Sequence, residues 1–352
     1  MHVLMLSTDR TIFAAGSPAR TRMEEYAKML GTLSVIVFNR SREKPVIGEP
    51  LSIYPTNSLS KFLYIRDAAH VARTVGKIDV VSAQDPFETG LAGMKIAEKF
   101  SVPLHVQVHT DFLAPGFASA HWPFNAIRLA IAPRVLKRAA RVRAVSARIK
   151  EHIEARYHPA APVSILPIFT DTGNLKDIVR MRHPRFKLTL LVISRLEKEK
   201  RIDMAIDALK KTRDAGIDCG LVIVGSGSEQ KYLERRAKRT GVSQWVEFVG
   251  FQNNLVPYYA MADVLLYPGA PYEGYGMGII EALAAGVPVL ANDVGIAREA
   301  GAEIASGDFG EALVSFLKKP LPKGVLLYHP YASKEEYLKR FSEDIAASLP
   351  HA

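Results

Sequence analysis

The 352-residue sequence has few of the features that mark disulfide-bonded, secreted or membrane-spanning proteins. Cys219 is the only cysteine, which excludes a disulfide framework within the chain and favours a reducing compartment. No apolar run approaches the roughly 18 residues of a membrane span. The first residues, MHVLMLSTD, contain too short an apolar run for a signal peptide. We therefore expect a soluble, cytoplasmic protein.

Motifs for metals and common cofactors are also missing. No His, Cys, Asp and Glu cluster has the spacing of a metal site, and there is no Walker A stretch. Gly225-Ser226-Gly227-Ser228 begins like a dinucleotide-binding turn, but Gln230 stands where the next glycine is required. The acid expected at the end of the second strand of such a unit is not evident either. We expect neither a metal nor a cofactor.

Charge is unevenly distributed along the chain. The formal net charge is +10, and 48% of the residues are hydrophobic, as in a globular protein. Residues 1–170 contain 22 Lys and Arg against 13 Asp and Glu, whereas residues 171–352 contain 24 against 23. A positive field in the first half favours an anionic partner. Anionic lipid headgroups, a phosphorylated acceptor and nucleic acid are candidates, and a solvated basic surface is the alternative.

Short apolar strands alternate with helices twice along the chain. This alternation predicts two α/β domains, each with a parallel, doubly wound sheet. The first series runs from Val3–Ser7 to Val163–Leu166, and the second starts at Leu188–Ile193 after a polar linker over residues 170–186. We place the domains at residues 1–169 and 170–330. Residues 39–60 carry three prolines and are predicted as irregular loop.

The most informative stretch is residues 271–299, PYEGYGMGIIEALAAGVPVLANDVGIARE. Glu273 precedes a glycine-rich loop that opens into an apolar helix, and Glu281 follows eight residues later. The N-terminus of a helix presents free N–H groups and a partial positive charge, which suits a phosphate or a sugar hydroxyl. Eight residues of helix span about 12 Å, too far for the close carboxylate pair of a retaining hydrolase. The spacing suits two carboxylates that hold different parts of one long ligand.

This stretch resembles the E-x7-E signature of retaining GT-B glycosyltransferases of family 4. The resemblance implies two Rossmann-like domains facing across a cleft, with the C-terminal helix (331–352) crossing back to pack on the first domain. It implies that Glu273 and the backbone of Tyr275, Gly276 and Met277 hold the donor sugar, and that Glu281 bonds the ribose. Arg195 and Lys200 match the Arg and Lys of the family segment G-R-L-x-x-x-K, with Ser194 in place of Gly. In the family these cations hold the donor diphosphate.

The first half resembles the family more loosely. His109, at the end of strand Leu104–Val108, matches a histidine that faces the donor sugar. For Asp111 three roles are open: it orients His109, it contacts the acceptor, or it caps a turn. Gly16 lies where relatives have a double glycine that approaches the phosphates; here the segment reads AAGSPAR. Asp85 and Arg20 are acceptor-side candidates, although Asp85 is equally explained as a helix cap.

A basic run extends from Arg134 to Lys150 without an acid. With its apolar neighbours it predicts a surface that faces an anionic membrane, formed by Arg134, Lys137, Arg138 and Arg141. An ordinary exposed helix is the alternative. No aromatics interleave with the bases, so the run is not a stacking platform for nucleic acid.

Together these features predict a retaining, metal-independent glycosyltransferase. Its partners would be a nucleotide diphospho-sugar and a lipid-linked or surface-polysaccharide glycan, and it would be cytoplasmic, with peripheral attachment to the membrane. The Asp-x-Asp motif by which another glycosyltransferase fold holds a metal is absent. A GT-B sugar-nucleotide epimerase or hydrolase, and a catalytically silent nucleotide- or glycan-binding protein, remain as alternatives.

Overall fold

The computed structural model describes residues 1–350 as two compact units. Unit 1 consists of residues 1–113, 117–167 and 331–350, and unit 2 consists of residues 114–116 and 168–330. Apart from residues 114–116, the chain leaves unit 1 after Pro167 and returns to it at Tyr331.

Each unit is built on one parallel sheet. Unit 1 has seven strands in the order β3-β2-β1-β4-β5-β6-β7, and unit 2 has six in the order β10-β9-β8-β11-β12-β13. The strands are β1 His2–Ser7, β2 Thr32–Val37, β3 Leu51–Pro55, β4 Val80–Ala83, β5 Leu104–Val108, β6 Arg141–Ala144, β7 Val163–Ile165, β8 Thr189–Ile193, β9 Gly220–Val224, β10 Val246–Gly250, β11 Val264–Tyr267, β12 Val289–Ala291 and β13 Glu303–Ile304. The predicted α/β class with two parallel sheets is confirmed.

Helices connect most of these strands. They are α1 Pro18–Leu30, α2 Tyr64–Val71, α3 Glu88–Phe100, α4 Phe117–Ala120, α5 Phe124–Arg138, α6 Ala147–Tyr157, α7 Ile202–Asp214, α8 Gln230–Arg239, α9 Val256–Met261, α10 Met277–Ala284, α11 Ala297–Ala300, α12 Phe309–Leu317 and α13 Lys334–Ala346. Among residues 1–350, none of the helices has the length and apolar character needed to cross a membrane.

Helix α1 shows how the local sequence determines where a helix begins and ends. Ser17 accepts a hydrogen bond from the Arg20 N–H and caps the helix, and Pro18 occupies the first turn. Both residues are favoured at these positions. The apolar side chains at helical spacing, Met23, Tyr26, Ala27 and Leu30, are buried. Gly31, with φ of +97°, ends the helix in a conformation that other residues rarely adopt.

The prediction of irregular loop over residues 39–60 is wrong for Leu51–Pro55. This segment is strand β3, which pairs in parallel with β2 at the edge of the sheet. Its burial alternates, with Leu51, Ile53 and Pro55 buried. Proline is tolerated at the ends of this edge strand, whose outer side pairs only through one bridge between Ile53 and Val46. Pro50 and Pro55 therefore bound the strand rather than exclude it.

Helix α13 packs on unit 1 through a buried polar network. Asp344 accepts hydrogen bonds from His105 Nε2 (3.0 Å) and Arg141 Nε (2.5 Å). Burial alone would raise the pKa of Asp344, but its bonds with His105, Ser164 and Arg141 hold that pKa well below the ordinary value. The Tyr337 and Tyr26 hydroxyls also bond. The predicted return of the C-terminal helix to the first domain is confirmed.

Candidate functional site

The centre of the candidate site in unit 2 is an ion pair between Lys200 and Glu273. Lys200 follows β8 and Glu273 follows β11, so both lie at the carboxyl edge of the sheet, where open α/β sheets bind ligands. Each side chain is only 16% exposed. The pair therefore joins two loops that the sequence separates by 73 residues.

Tyr267 completes this centre, and sequence reasoning missed it. It is the last residue of β11, it is buried, and its ring centroid lies 6.0 Å from Lys200 Nζ. Burial, followed by the charge of Glu273 and a hydrogen bond with it, raises the pKa of Tyr267 well above its ordinary value. The hydroxyl is therefore neutral and able to donate. Its position at a strand end, directly before the loop of Glu273, was the available signal.

The loop before α10 is held by two glycines. Gly276 directly precedes α10 and has φ of +104°, a backbone conformation that would be strained for a residue with a side chain. A Cβ on Gly295 would lie 2.1 Å from the Tyr275 carbonyl oxygen, so that close approach also requires glycine. Tyr275 is buried, whereas Met277 is 46% exposed in the first turn of the helix. The backbone N–H groups of this first turn are the ones that a helix leaves without internal partners.

Glu281 lies on α10 and accepts a hydrogen bond from the Tyr259 hydroxyl of α9 (2.7 Å). Burial raises the pKa of Glu281, and this bond opposes the rise. Glu273 bonds Lys200 whereas Glu281 bonds Tyr259, as expected for carboxylates that hold different parts of a ligand. Tyr259 is a second residue that sequence reasoning missed, because nothing in the pattern of α9 distinguishes it from a core residue.

Arg195 lies in the same edge loop as Lys200 but in a different environment. Its side chain is 70% exposed and pairs with Glu199 at 3.3 Å. The backbone of this loop passes close to Gly225. A Cβ on Gly225 would lie 1.9 Å from the Ser194 carbonyl oxygen. A cavity of about 160 Å³ lies beside Arg195, Gly225, Ser226, Phe251 and Gln252. The predicted pair of cations thus consists of a mostly covered lysine paired with Glu273 and an exposed arginine paired with Glu199.

In unit 1, His109 follows β5 at the carboxyl edge of the sheet. Its Nε2 lies 3.2 Å from Gln107 Oε1, which also accepts from Arg143 Nη1 (2.8 Å). Because an amide oxygen only accepts, Nε2 carries the proton and Nδ1 is an acceptor. Burial, followed by the charges of Arg143 and Arg22, lowers the pKa of His109 to about 3. The imidazole is therefore neutral at pH 7.

Asp111 is buried and bonds His152 Nδ1 at 2.9 Å. Among residues 1–350 its Oδ2 has no hydrogen-bond partner. The interpretation that Asp111 orients His109 is therefore wrong, because Gln107 holds the ring. The sequence could have indicated Gln107 as the partner of His109, because it precedes His109 by two residues and therefore lies on the same face of the strand.

The other first-half candidates have local partners. Gly16 has φ of +75° with open space around it, directly before the cap of α1. Arg20 is 15% exposed on its side chain and pairs with Glu24. Asp85 follows β4 and accepts from the Phe87 N–H (2.7 Å), which is the turn-stabilising role of an aspartate before a helix. Burial and the charge of Glu88 raise the pKa of Asp85 to about 6.

The basic run does not form one surface, which corrects the prediction. Arg134, Lys137 and Arg138 are exposed on α5, and Arg138 pairs with Glu98. Arg141 bonds Asp344, with a side chain only 23% exposed. Arg143 is 1% exposed and donates to the Leu166 carbonyl. The run crosses from a helix into strand β6, where alternate side chains point inward, so its later bases stabilise the fold.

Two family models together match most of the chain. The model described as "Glycosyltransferase Family 4" matches residues 10–174, and that described as "Glycosyl transferases group 1" matches residues 173–307. The chain belongs to the group 1, or family 4, glycosyltransferases of GT-B fold.

Among the described residues, no group of three or more His, Cys, Asp and Glu is arranged to hold a metal ion.

Curated members of this family are similar over part of their length. A GDP-mannose-dependent alpha-(1-6)-phosphatidylinositol monomannoside mannosyltransferase of Mycobacterium tuberculosis is 33% identical over 170 residues, 44% of each chain. A phosphatidyl-myo-inositol mannosyltransferase of Mycobacterium leprae is 31% identical over 175 residues, 47% of this chain and 46% of the relative. The matches therefore span less than half the length of these relatives.

Solved structures share the fold over nearly the whole chain. Anabaena HepE, in complex with UDP and glucose, superposes with a TM-score of 0.69 at 18% identity, covering 98% of this chain and 94% of that one. Sucrose-phosphate synthase from Thermosynechococcus elongatus gives a TM-score of 0.71 at 16% identity, covering 99% and 95%. At these identities the likeness demonstrates the fold alone.

Proposed function

We propose that the protein is a retaining glycosyltransferase that moves a sugar from a nucleotide diphospho-sugar to a hydroxyl of a lipid-linked or surface-polysaccharide glycan. Family membership supports glycosyl transfer as the reaction class. The observation that carries the assignment to this site is the Lys200–Glu273 pair at the carboxyl edge of the unit 2 sheet, directly before the N-terminus of α10.

In the proposed chemistry, the carboxylate and the cations of the site bind different parts of the donor. Glu273 bonds the donor sugar, and Lys200 together with Arg195 bonds the diphosphate. An ammonium has three donors, so Lys200 can keep Glu273 and bond a phosphate oxygen at once. As the glycosidic bond breaks, the diphosphate gains charge, and fixed cations stabilise it. The acceptor attacks the face that the diphosphate leaves and passes its proton to a phosphate oxygen.

His109 has a defined role in this proposal. With Nε2–H donated to Gln107, the neutral ring offers Nδ1 as an acceptor for a sugar hydroxyl. Glu281 bonds the ribose, and the Tyr259 hydroxyl orients its carboxylate. Gly16 allows close backbone approach to the diphosphate, and Asp111, Asp85 and Arg20 remain acceptor-side candidates.

The names of the relatives guide the choice of substrates. The mycobacterial relatives are named for GDP-mannose and phosphatidylinositol mannosides, which supports a glycolipid acceptor. Anabaena HepE holds UDP and glucose. A thermal-shift screen with GDP, UDP and ADP and their sugars therefore identifies the donor. With this acceptor class, we propose that the enzyme works on the cytoplasmic face of a membrane as a peripheral protein.

Replacing the two cations is expected to weaken donor use unequally. Arg195→Ala should reduce donor affinity or turnover roughly 10- to 100-fold, from about 1.5–3 kcal/mol for a charge-assisted bond. Lys200→Ala should have the larger effect, because it also leaves Glu273, which is 16% exposed, without its cation. Steady-state kinetics with varied donor measures both effects.

Lys198 provides the matched control for this comparison. It lies in the same turn, is exposed, and is also a lysine. Lys198→Ala should keep near-normal kinetics. Equal losses of donor affinity or turnover in Lys198→Ala and Lys200→Ala would contradict a specific contact of Lys200 with the donor. They would indicate that only the total positive charge of the loop matters.

Transfer is expected to persist in excess EDTA. The sequence lacks the Asp-x-Asp motif, and in the proposed chemistry Arg195 and Lys200 neutralise the diphosphate instead of a metal. Release of nucleoside diphosphate should be measured with and without acceptor in EDTA. Complete loss that Mg²⁺ or Mn²⁺ restores would contradict metal independence, and equal release without acceptor would indicate a hydrolase.

A further inference from the structure

The sheet of unit 1 has helices on two opposite faces. A Cβ on Gly93 of α3 would lie 3.1 Å from Leu104, whereas the next residue, His105, bonds Asp344 of α13. Successive side chains of a strand point to opposite faces. Helices α2 and α5 pack beside α3, and α1 packs beside α13. We call these the α2–α3–α5 face and the α1–α13 face.

The two faces differ in charge. Residues 61–77, 88–100 and 124–138, which form the α2–α3–α5 face, contain ten Lys and Arg against three Asp and Glu. Helices α1 and α13 contain six Lys and Arg against six Asp and Glu. Of these two sets of residues, only the one on the α2–α3–α5 face carries an excess of positive charge.

Large apolar side chains are exposed on this same face. Phe62 is 89% exposed, Trp122 is 74% exposed, Phe124 is 58% exposed and Ile127 is 53% exposed. They lie immediately before α2 and at the start of α5. Because these helices connect parallel strands, their first turns lie at the carboxyl edge of the sheet. The apolar residues therefore line the edge that also carries His109.

In the segments that contain α5 and α2, exposed apolar residues come first and exposed basic residues follow them at helical spacing. Along α5 the outward positions at helical spacing are Phe124, Ile127, Ile131, Arg134 and Arg138. In the segment that contains α2, the exposed residues at helical spacing are Phe62 before the helix, Arg66 and His70 on it, and Arg73 and Lys77 after it. Each segment thus begins with aromatic or aliphatic groups at the carboxyl edge and ends with bases.

We infer that the α2–α3–α5 face docks on an anionic lipid bilayer. Aromatic side chains are favoured at the level of the headgroups, and the bases are attracted to the negative surface potential of anionic lipids. The α1–α13 face, with balanced charge, has no such attraction. This surface replaces the predicted one, because it adds α2 and excludes Arg141. If the proposed function holds, docking brings a lipid-linked acceptor to the carboxyl edge of unit 1.

Trp122 gives a direct test of insertion. The chain has two tryptophans, Trp122 and Trp245, so Trp245→Phe leaves Trp122 as the sole indole reporter. Its fluorescence should be quenched by vesicles of phosphatidylglycerol with brominated acyl chains, and not by brominated phosphatidylcholine vesicles at the same low salt. No quenching with either lipid would overturn the proposal.

Charge reversal with a matched control tests the face. Arg73, Arg134 and Lys137, changed together to Glu, should lower the affinity for phosphatidylglycerol vesicles at least about 100-fold, since each base near such a surface contributes several-fold and is inverted. Lys28, Lys339 and Arg340, changed together to Glu, alter the net charge equally but lie on α1 and α13. This control should bind within about threefold of wild type. Equal losses in both variants would overturn the assignment of the face.

An apolar pair of substitutions separates insertion from charge attraction. Phe62→Ser with Trp122→Ser should weaken vesicle binding about tenfold or more at a salt concentration that screens the bases, whereas Met29→Ser on α1, 44% exposed in wild type, should not. Turnover of a soluble acceptor analogue should be unchanged in all these variants. Vesicle binding without any transferase activity would support docking and contradict only the proposed function. Wild-type binding to RNA or self-association, without vesicle binding, would overturn docking.

Discussion

Glu273→Gln is expected to abolish most sugar transfer while leaving the affinity for free nucleoside diphosphate nearly intact. The amide keeps the shape of Glu273 but removes the charge that pairs with Lys200. Electrostatic contacts that act at the transition state are worth roughly 100- to 1,000-fold in turnover when one is removed. We expect a loss of this size, because Glu273 is proposed to bond the sugar at the reacting centre.

The comparison with Glu281→Gln tests whether the two carboxylates hold different parts of the donor. Tyr259 can still donate to the amide oxygen, so the local structure should persist. Free nucleoside diphosphate should bind about tenfold more weakly, equivalent to about 1.4 kcal/mol. Calorimetry with the nucleoside diphosphate alone measures this. Weak nucleotide binding in Glu273→Gln together with normal binding in Glu281→Gln would contradict the assignment.

Asp344→Ala is expected to destabilise unit 1 by about 3–5 kcal/mol, the usual effect of removing one partner from a buried ion pair. The change leaves Arg141 without its carboxylate and His105 Nε2 without its acceptor. Helix α13 should then separate from the sheet more easily. Urea unfolding, followed together with hydrogen exchange in α13, measures the loss.

Glu343→Ala is the matched control, since it removes a 62% exposed acid from the adjacent position of the same helix. Its effect should stay within about 0.5 kcal/mol. The pKa of Asp344 is lowered in the folded protein, so its stabilisation is present above the ordinary value of 3.8 and is lost as the pH falls below it. Wild type should therefore lose stability more steeply than Asp344→Ala as the pH falls from about 4 towards the lowered folded pKa of Asp344. Equal stabilities of Asp344→Ala and Glu343→Ala would contradict the role of the network.

Much of the fold could be predicted because its signals are local. Buried parallel strands appear as short apolar runs, and α1 is defined by Ser17, Pro18, one apolar face and Gly31. Strand β3 was missed because Pro50 and Pro55 are usually read as loop signals. Only its place at the edge of the sheet makes proline acceptable there.

The candidate site was predictable to the extent that strand ends and a glycine-rich loop are visible in the sequence. Glu273 and Lys200 each follow a predicted strand of the second domain, and His109 follows one of the first, so each could be expected at the carboxyl edge of its own sheet. Their partners could not be predicted. Tyr267 and Gln107 resemble strand residues, and their contacts depend on which neighbouring loop or strand lies beside them.

By itself, the sequence determined two α/β domains, the family, and the loops that carry the candidate site, because periodicity, capping and glycine positions act over a few residues. The tertiary structure decided how each charge is used. Arg134 and Arg143 belong to the same basic run, yet one is exposed and the other is 1% exposed against Gln107 and Leu166. A charge is exposed or buried according to what packs on its element, and for Arg141 that is Asp344, some 200 residues away.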